Sequence, residues 1–175
     1  MTGRAADHVD SIVAQWQRER PELDVAPLAV FARLFRVVHL ADAALAEGLA
    51  KHELQAGWFD LLAALRRAGK PYELNPTQLM RATMISSGGV TKRLDRLVEA
   101  GLVQRRPDLT DRRGALVRLT RSGKTVIDRA VETHIANEER LLRPLGQADQ
   151  GVLDELLGAL LASLEPSGYD GETRR

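Results

Sequence analysis

Ten cationic side chains stand between positions 92 and 124: Lys92, Arg93, Arg96, Arg105, Arg106, Arg112, Arg113, Arg118, Arg121 and Lys124. Only Asp95, Glu99, Asp108 and Asp111 oppose them there. The whole chain has a net charge of just +1, so the asymmetry is one of distribution. A local excess of this kind is the electrostatic footprint of a surface that meets a polyanion. No comparable grouping supports catalysis. His8, His39, His52 and His134 are scattered, neither HExxH nor GxSxG occurs, and Gly88-Gly89 lacks a phosphate-loop context. His134 and Glu138 have the i, i+4 spacing of metal ligands, a spacing many helix surfaces share, so no metal or other cofactor is assigned. The absence of cysteine excludes disulfides, thiolate metal sites and thiol redox switches.

These cations need elements to present them. A helix from Ser87 to Ala100, stopped at Gly101, turns Val90, Leu94, Leu97 and Val98 to one side. Gly88, Gly89, Lys92 and Arg96 fall on the other, with Thr91 and Arg93 at the flanks. An outer face that combines small residues with long cations can enter the major groove, where cations reach phosphates or guanine edges. Asn75-Pro76-Thr77 starts a short helix ahead of it, with a capping side chain and a proline at the first helical position. After a break at Ile85-Ser86-Ser87 the pair forms a candidate helix-turn-helix. Strand-like runs at 102–106 and 115–120 flank the turn-rich stretch Pro107 to Gly114, which predicts a β-hairpin. Arg112 and Arg113 on its loop can reach the neighbouring minor groove, whose negative potential attracts arginine.

Elsewhere the pattern is helical. Asp7 to Arg20 carries Val9, Ile12, Val13 and Trp16 at spacings of three and four. A long helix from Pro27 to about Lys51 lines up Leu28, Phe31, Leu34, Phe35 and Val38, and its length predicts packing across more than one partner. Gln55 to Ala68 turns Trp58, Leu61, Leu62 and Leu65 inward. Ser122-Gly123 introduces a helix to Leu142, and Asp149 is expected to cap a last one. That last helix carries leucine or valine at 152, 153, 156, 157, 160, 161 and 164, a stripe broad enough to be buried against a second copy. An apolar fraction of 44% and a charged fraction of 28% are those of a soluble globular protein, and no apolar run approaches a membrane span. The polar, acidic N-terminus is unlike a signal peptide, so a cytoplasmic location is expected.

The run Ser86-Ser87-Gly88-Gly89-Val90-Thr91-Lys92-Arg93-Leu94-Asp95-Arg96-Leu97, followed by Glu99-Ala100-Gly101-Leu102-Val103, Asp111-Arg112-Arg113-Gly114 and Leu119-Thr120, resembles the MarR family of bacterial regulators. The likeness covers about Pro27 to Leu164. It implies a mainly α fold with a small β-hairpin wing, a winged helix-turn-helix with a helical dimerisation region from both termini. It also implies an obligate, triangular homodimer on a pseudo-palindromic double-stranded DNA operator. On that likeness the chain divides into N-terminal helices (1–50), a winged helix-turn-helix (51–121), dimerisation helices (122–166) and a tail (167–175). The DNA-contacting candidates are Ser86, Ser87, Gly88, Thr91, Lys92, Arg96, Arg112 and Arg113.

The added N-terminal helix with Trp16, the Trp58-Phe59-Asp60 run, Arg93 and Arg105 resemble the branch of the family that responds to urate and related anionic metabolites, whose pocket implies roles for Trp16, Asp60, Arg93 and Arg105. Arginines clamp an anion, an indole covers a planar ring, and an aspartate orients the clamp. The plainer readings are that Trp16 staples its helix to the body, that Asp60 pairs with Arg66 or Arg67, and that Arg93 and Arg105 contact phosphate. The expected function is a ligand-responsive transcription regulator, a repressor released by a small anionic or aromatic effector such as urate. The alternative is a winged-helix protein-interaction module without a DNA role, which leaves the basic flanks unexplained.

Overall fold

A computed structural model describes residues 5–83, 89–108 and 114–165. In chain order the elements are α1 (His8–Glu19), α2 (Ala26–Ala50), α3 (Ala56–Arg67), β1 (Glu73–Leu74), α4 (Pro76–Arg81), α5 (Val90–Glu99), β2 (Val103–Pro107), β3 (Ala115–Leu119), α6 (Arg121–Leu142) and α7 (Gln147–Leu164). The mainly helical class with a small sheet is the one expected. Contacts group the chain into two compact units, Met1–Ala44 and Leu45–Arg175.

In the first unit α1 is fastened at its start. The Asp7 carboxylate accepts the N–H groups of Val9 and Asp10, and Asp10 returns an acceptor to the Asp7 N–H at 2.8 Å, a reciprocal cap. Arg33 of α2 then bridges both acids, 2.9 Å from Asp7 and 2.5 Å from Asp10. The hydrogen bond from Arg33 holds the Asp7 carboxyl below its ordinary range. On α2 the expected inner face is only partly covered: Leu28 and Leu34 are half-buried, whereas Phe31, Phe35 and Val38 are exposed.

The second unit holds the main core. Leu61, Leu62 and Leu65 of α3, Leu79 of α4, Leu94 and Leu97 of α5, Val103 and Val117 of the sheet and Ile127 of α6 form one buried cluster. The α5 stripe follows from i, i+4, i+7 spacing, with Val90, Leu94 and Leu97 buried; Val98, read as inward, is exposed. Gly101 ends the helix at φ +67°, a left-handed geometry that glycine adopts without a Cβ penalty. The predicted start of α4 is present as a capping box: Asn75 accepts from the Gln78 N–H at 2.8 Å, and Gln78 accepts from the Asn75 N–H at 3.0 Å.

Three further details differ from the sequence reading. The hairpin is part of a three-stranded antiparallel sheet in the order β1-β3-β2, because Glu73 and Leu74 pair with Arg118 and Val117; two residues are too few to show a strand period. The cap of α6 is Thr120, whose Oγ1 accepts from the Gly123 N–H at 2.9 Å and donates to the Gly101 carbonyl at 2.8 Å. The α7 helix begins at Gln147 after Gly146, so Asp149 lies in its first turn, where a negative charge complements the helix dipole. None of the residues in α7 is buried.

Candidate nucleic-acid interface

The α5 helix splits the chemistry cleanly between its two sides. Val90, Leu94 and Leu97 anchor it in the core, while Thr91, Lys92 and Arg96 are exposed. The helix stands at the end of β2 through Gly101, and β2 runs antiparallel to β3 with Val103 opposite Leu119 and Pro107 opposite Ala115. Gly114 accepts a hydrogen bond from the Asp108 N–H at 3.1 Å, so the two strands remain paired up to the loop between them. Ser86, Ser87, Gly88, Arg112 and Arg113 lie outside the described residues.

Ion pairing decides which cations stay available. Arg105 of β2 reaches Asp95 of α5 at 2.6 Å, Arg118 of β3 lies 2.9 Å from Glu73 of β1, and Lys124 pairs with Asp128 at 2.5 Å. Among the described residues Lys92, Arg93, Arg96, Arg106 and Arg121 have no such partner. Asp95 of the stretch is thus taken up by Arg105, and the unpaired positive charge among the described residues stands on α5, β2 and the start of α6, where a phosphate backbone would find it.

The four effector candidates are placed differently from one another. Trp16 is 44% exposed on α1. Asp60 is half-buried on α3, with no ion pair or hydrogen bond among the described residues, and burial raises its carboxyl above the ordinary range. The anticipated partners are occupied elsewhere: Arg66 pairs with Asp128 at 2.6 Å, and Arg67 donates to the Ala82 carbonyl at 2.9 Å. Arg93 borders a hollow of about 320 Å³ with Gln55, Trp58, Gly89, Lys92 and Arg96. Arg105 does not line that hollow, being held by Asp95. Gln55 was not among the sequence candidates for a site and Trp58 entered only through the Trp58-Phe59-Asp60 run; the packing of α3 beside α5 brings both to the cations. His134 stacks its ring on Phe59 with centroids 4.5 Å apart and lies 3.3 Å from Glu138. The described residues contain no group of three acids or histidines that could hold a metal.

A profile of the MarR family matches residues 52–114, from just before α3 to the end of the wing loop. Over 150 residues, covering 86% of this chain and 90% of the relative, the sequence is 45% identical to the HTH-type transcriptional regulator PecS of Dickeya dadantii. The chain belongs to the MarR family. Among solved structures, this MarR-family chain is similar to Sco3205 of Streptomyces coelicolor in complex with DNA, with a TM-score of 0.75 at 23% identity over 85% of this chain and 93% of that one. A mutant MarR from E. coli complexed with operator DNA gives a TM-score of 0.67 at 26% identity over 83% of this chain and 97% of that one.

The MarR-family assignment accounts for the division of labour seen in α5 and the wing. The chain is a winged-helix, DNA-binding transcriptional regulator and not an enzyme. No helix among its described residues is long and apolar enough to cross a membrane. Every candidate residue for DNA or effector contact except Trp16 falls inside the matched span.

Proposed function

We propose that this MarR-family regulator works as a homodimer that sets two α5 helices into successive major grooves of a pseudo-palindromic operator, about 34 Å apart. Arg112 and Arg113 of each wing would enter the flanking minor groove. The observation that carries the reading is the face of α5: Thr91, Lys92 and Arg96 are exposed, the two cations are unpaired, and the opposite side is locked in the core. Dimerisation is supported by apolar surface that one protomer leaves in water, namely Phe35 and Val38 on α2 and Val152, Leu156, Leu161 and Leu164 on α7.

Arg96→Ala tests the DNA-reading role. Against a duplex selected from a random-sequence pool by the wild-type protein, the variant is expected to lose roughly ten- to a hundredfold in affinity, the worth of one bidentate base contact. Random duplex should be bound nearly as before. Unchanged discrimination in this variant would remove α5 as the reading helix.

Release of the operator by a small planar anion, with urate as the test compound, completes the proposed function as repression lifted by a metabolite. Asp60 and Arg93 support it, being half-buried charges of opposite sign whose hydrogen-bonding groups are unused among the described residues. Such groups are costly unless something pairs with them. Coupling is reciprocal, so operator DNA must weaken effector binding by the same factor that the effector weakens operator binding. Asp60→Asn should require at least about tenfold more urate to displace the selected duplex, a coupling loss of ordinary size, while operator affinity without urate stays the same. A wild-type response to urate in that variant would exclude Asp60 from the effector site.

A further inference from the structure

Two glycines assign Arg93 a place that ligand binding alone does not explain. Gly57 lies in the first turn of α3, and Gly89 is the N-cap of α5. A Cβ at Gly57 would stand 2.7 Å from Arg93 Nε and 3.0 Å from Cζ; a Cβ at Gly89 would stand 2.8 Å from Nη1 and 3.1 Å from Cζ. One guanidinium therefore fills the side-chain space that both glycines leave empty. It is half-buried there, whereas its neighbour Lys92 and Arg96 one turn on are exposed.

Stability of α5 does not account for this arrangement. A helix N-terminus carries the positive end of the helix dipole and favours negative groups. The α5 helix has no acid in its first turn and no side-chain cap from Gly89, and a cation lies against that end instead. Nor does the apolar stripe orient this end by itself, because Val90 is the one buried residue in the first turn. Side chains that read base edges must be held within about 0.5 Å and 10–20° of their productive geometry. Some contact other than Val90 has to hold the first turn against tilting.

We propose that Arg93 is a positioning residue for DNA reading: its guanidinium is a wedge between the first turn of α3 and the N-cap of α5, and Gly57 and Gly89 supply the space it needs. The wedge sets the pitch at which Thr91, Lys92 and Arg96 meet the groove. This rests on α5 being the DNA-reading helix.

The test uses the full chain as Arg93→Ala and Gly57→Ala, with the duplex selected by the wild-type protein and a random duplex, each titrated over a salt series. Gly57→Ala keeps the cation but fills half of its cradle. Alanine is also the better helix former, and the atoms it meets are the flexible end of the Arg93 side chain, so the variant folds. Both variants should bind the selected duplex about tenfold more weakly and the random duplex unchanged, with the salt dependence of wild type. A phosphate contact would behave otherwise: Arg93→Ala would weaken both duplexes together and lower the slope of log affinity against log salt by about one. That result overturns the proposal, as does wild-type discrimination in Gly57→Ala. If the wild-type protein itself selects no sequence, the DNA-reading assignment of α5 fails first, and the wedge fails with it.

Discussion

Gly123→Ala should melt roughly 10 °C below the wild type at equal protein concentration, a loss of about 3 kcal/mol at the upper end of overpacking costs. The reason is local and severe. A Cβ at Gly123 would stand 1.9 Å from the carbonyl oxygen of Leu102 and 2.8 Å from its carbon, and both are backbone atoms that no rotamer change can move. That carbonyl also accepts the Thr120 N–H at 3.1 Å, and Thr120 Oγ1 ties Gly101 to the first turn of α6. The clash would therefore spread to the turn that joins α5 to β2, and operator affinity should fall along with the melting temperature. A melting point within about 2 °C of wild type, where an ordinary surface change would put it, would show that this junction yields more readily than its hydrogen bonds suggest.

If the protein is the homodimer proposed, the double variant Leu157→Glu with Leu161→Glu should be a monomer in sedimentation and lose at least about a hundredfold in affinity for a two-half-site duplex. These leucines are one helical turn apart and exposed in the protomer, at 42% and 54% of their surface. Burying one leucine contributes about 1.5–3 kcal/mol, and two-fold symmetry doubles every change at an isologous interface. Four carboxylates would then replace four apolar side chains. The loss of DNA affinity follows because linked half-site binding exceeds single-site binding by roughly a hundredfold or more. Helical content should survive, since α7 contributes no buried residue to its own protomer. A dimer that persists in this variant would mean that the subunits meet elsewhere.

Much of the interface was legible in the residues alone. Val90, Leu94 and Leu97 recur at helical spacing, Gly101 stops the helix, and Asn75 with Pro76 starts the one before it; each of these signals acts within one or two turns. Val98 was misjudged because it lies at the margin of the stripe, where a few degrees of helix rotation decide between core and solvent. The two-residue β1 has no periodicity to detect, and it exists because Val117 and Arg118 offer a free strand edge. The cap of α6 was displaced by two residues because Thr120 must be seen against Gly101 to be recognised as the anchor.

By itself the amino-acid order determined the helices, the hairpin, the cationic stretch and the Val90-Leu94-Leu97 side of α5, because capping, periodicity and charge density are properties of neighbours along the chain. Tertiary structure alone decided that Asp95 binds Arg105, that Asp60 makes no ion pair or hydrogen bond among the described residues, and that Arg93 occupies the space of two glycines. Gly57 and Gly89 are 32 positions apart in the numbering, and no local rule reports that one side chain must fit between them. Distance in space follows only after the core has closed.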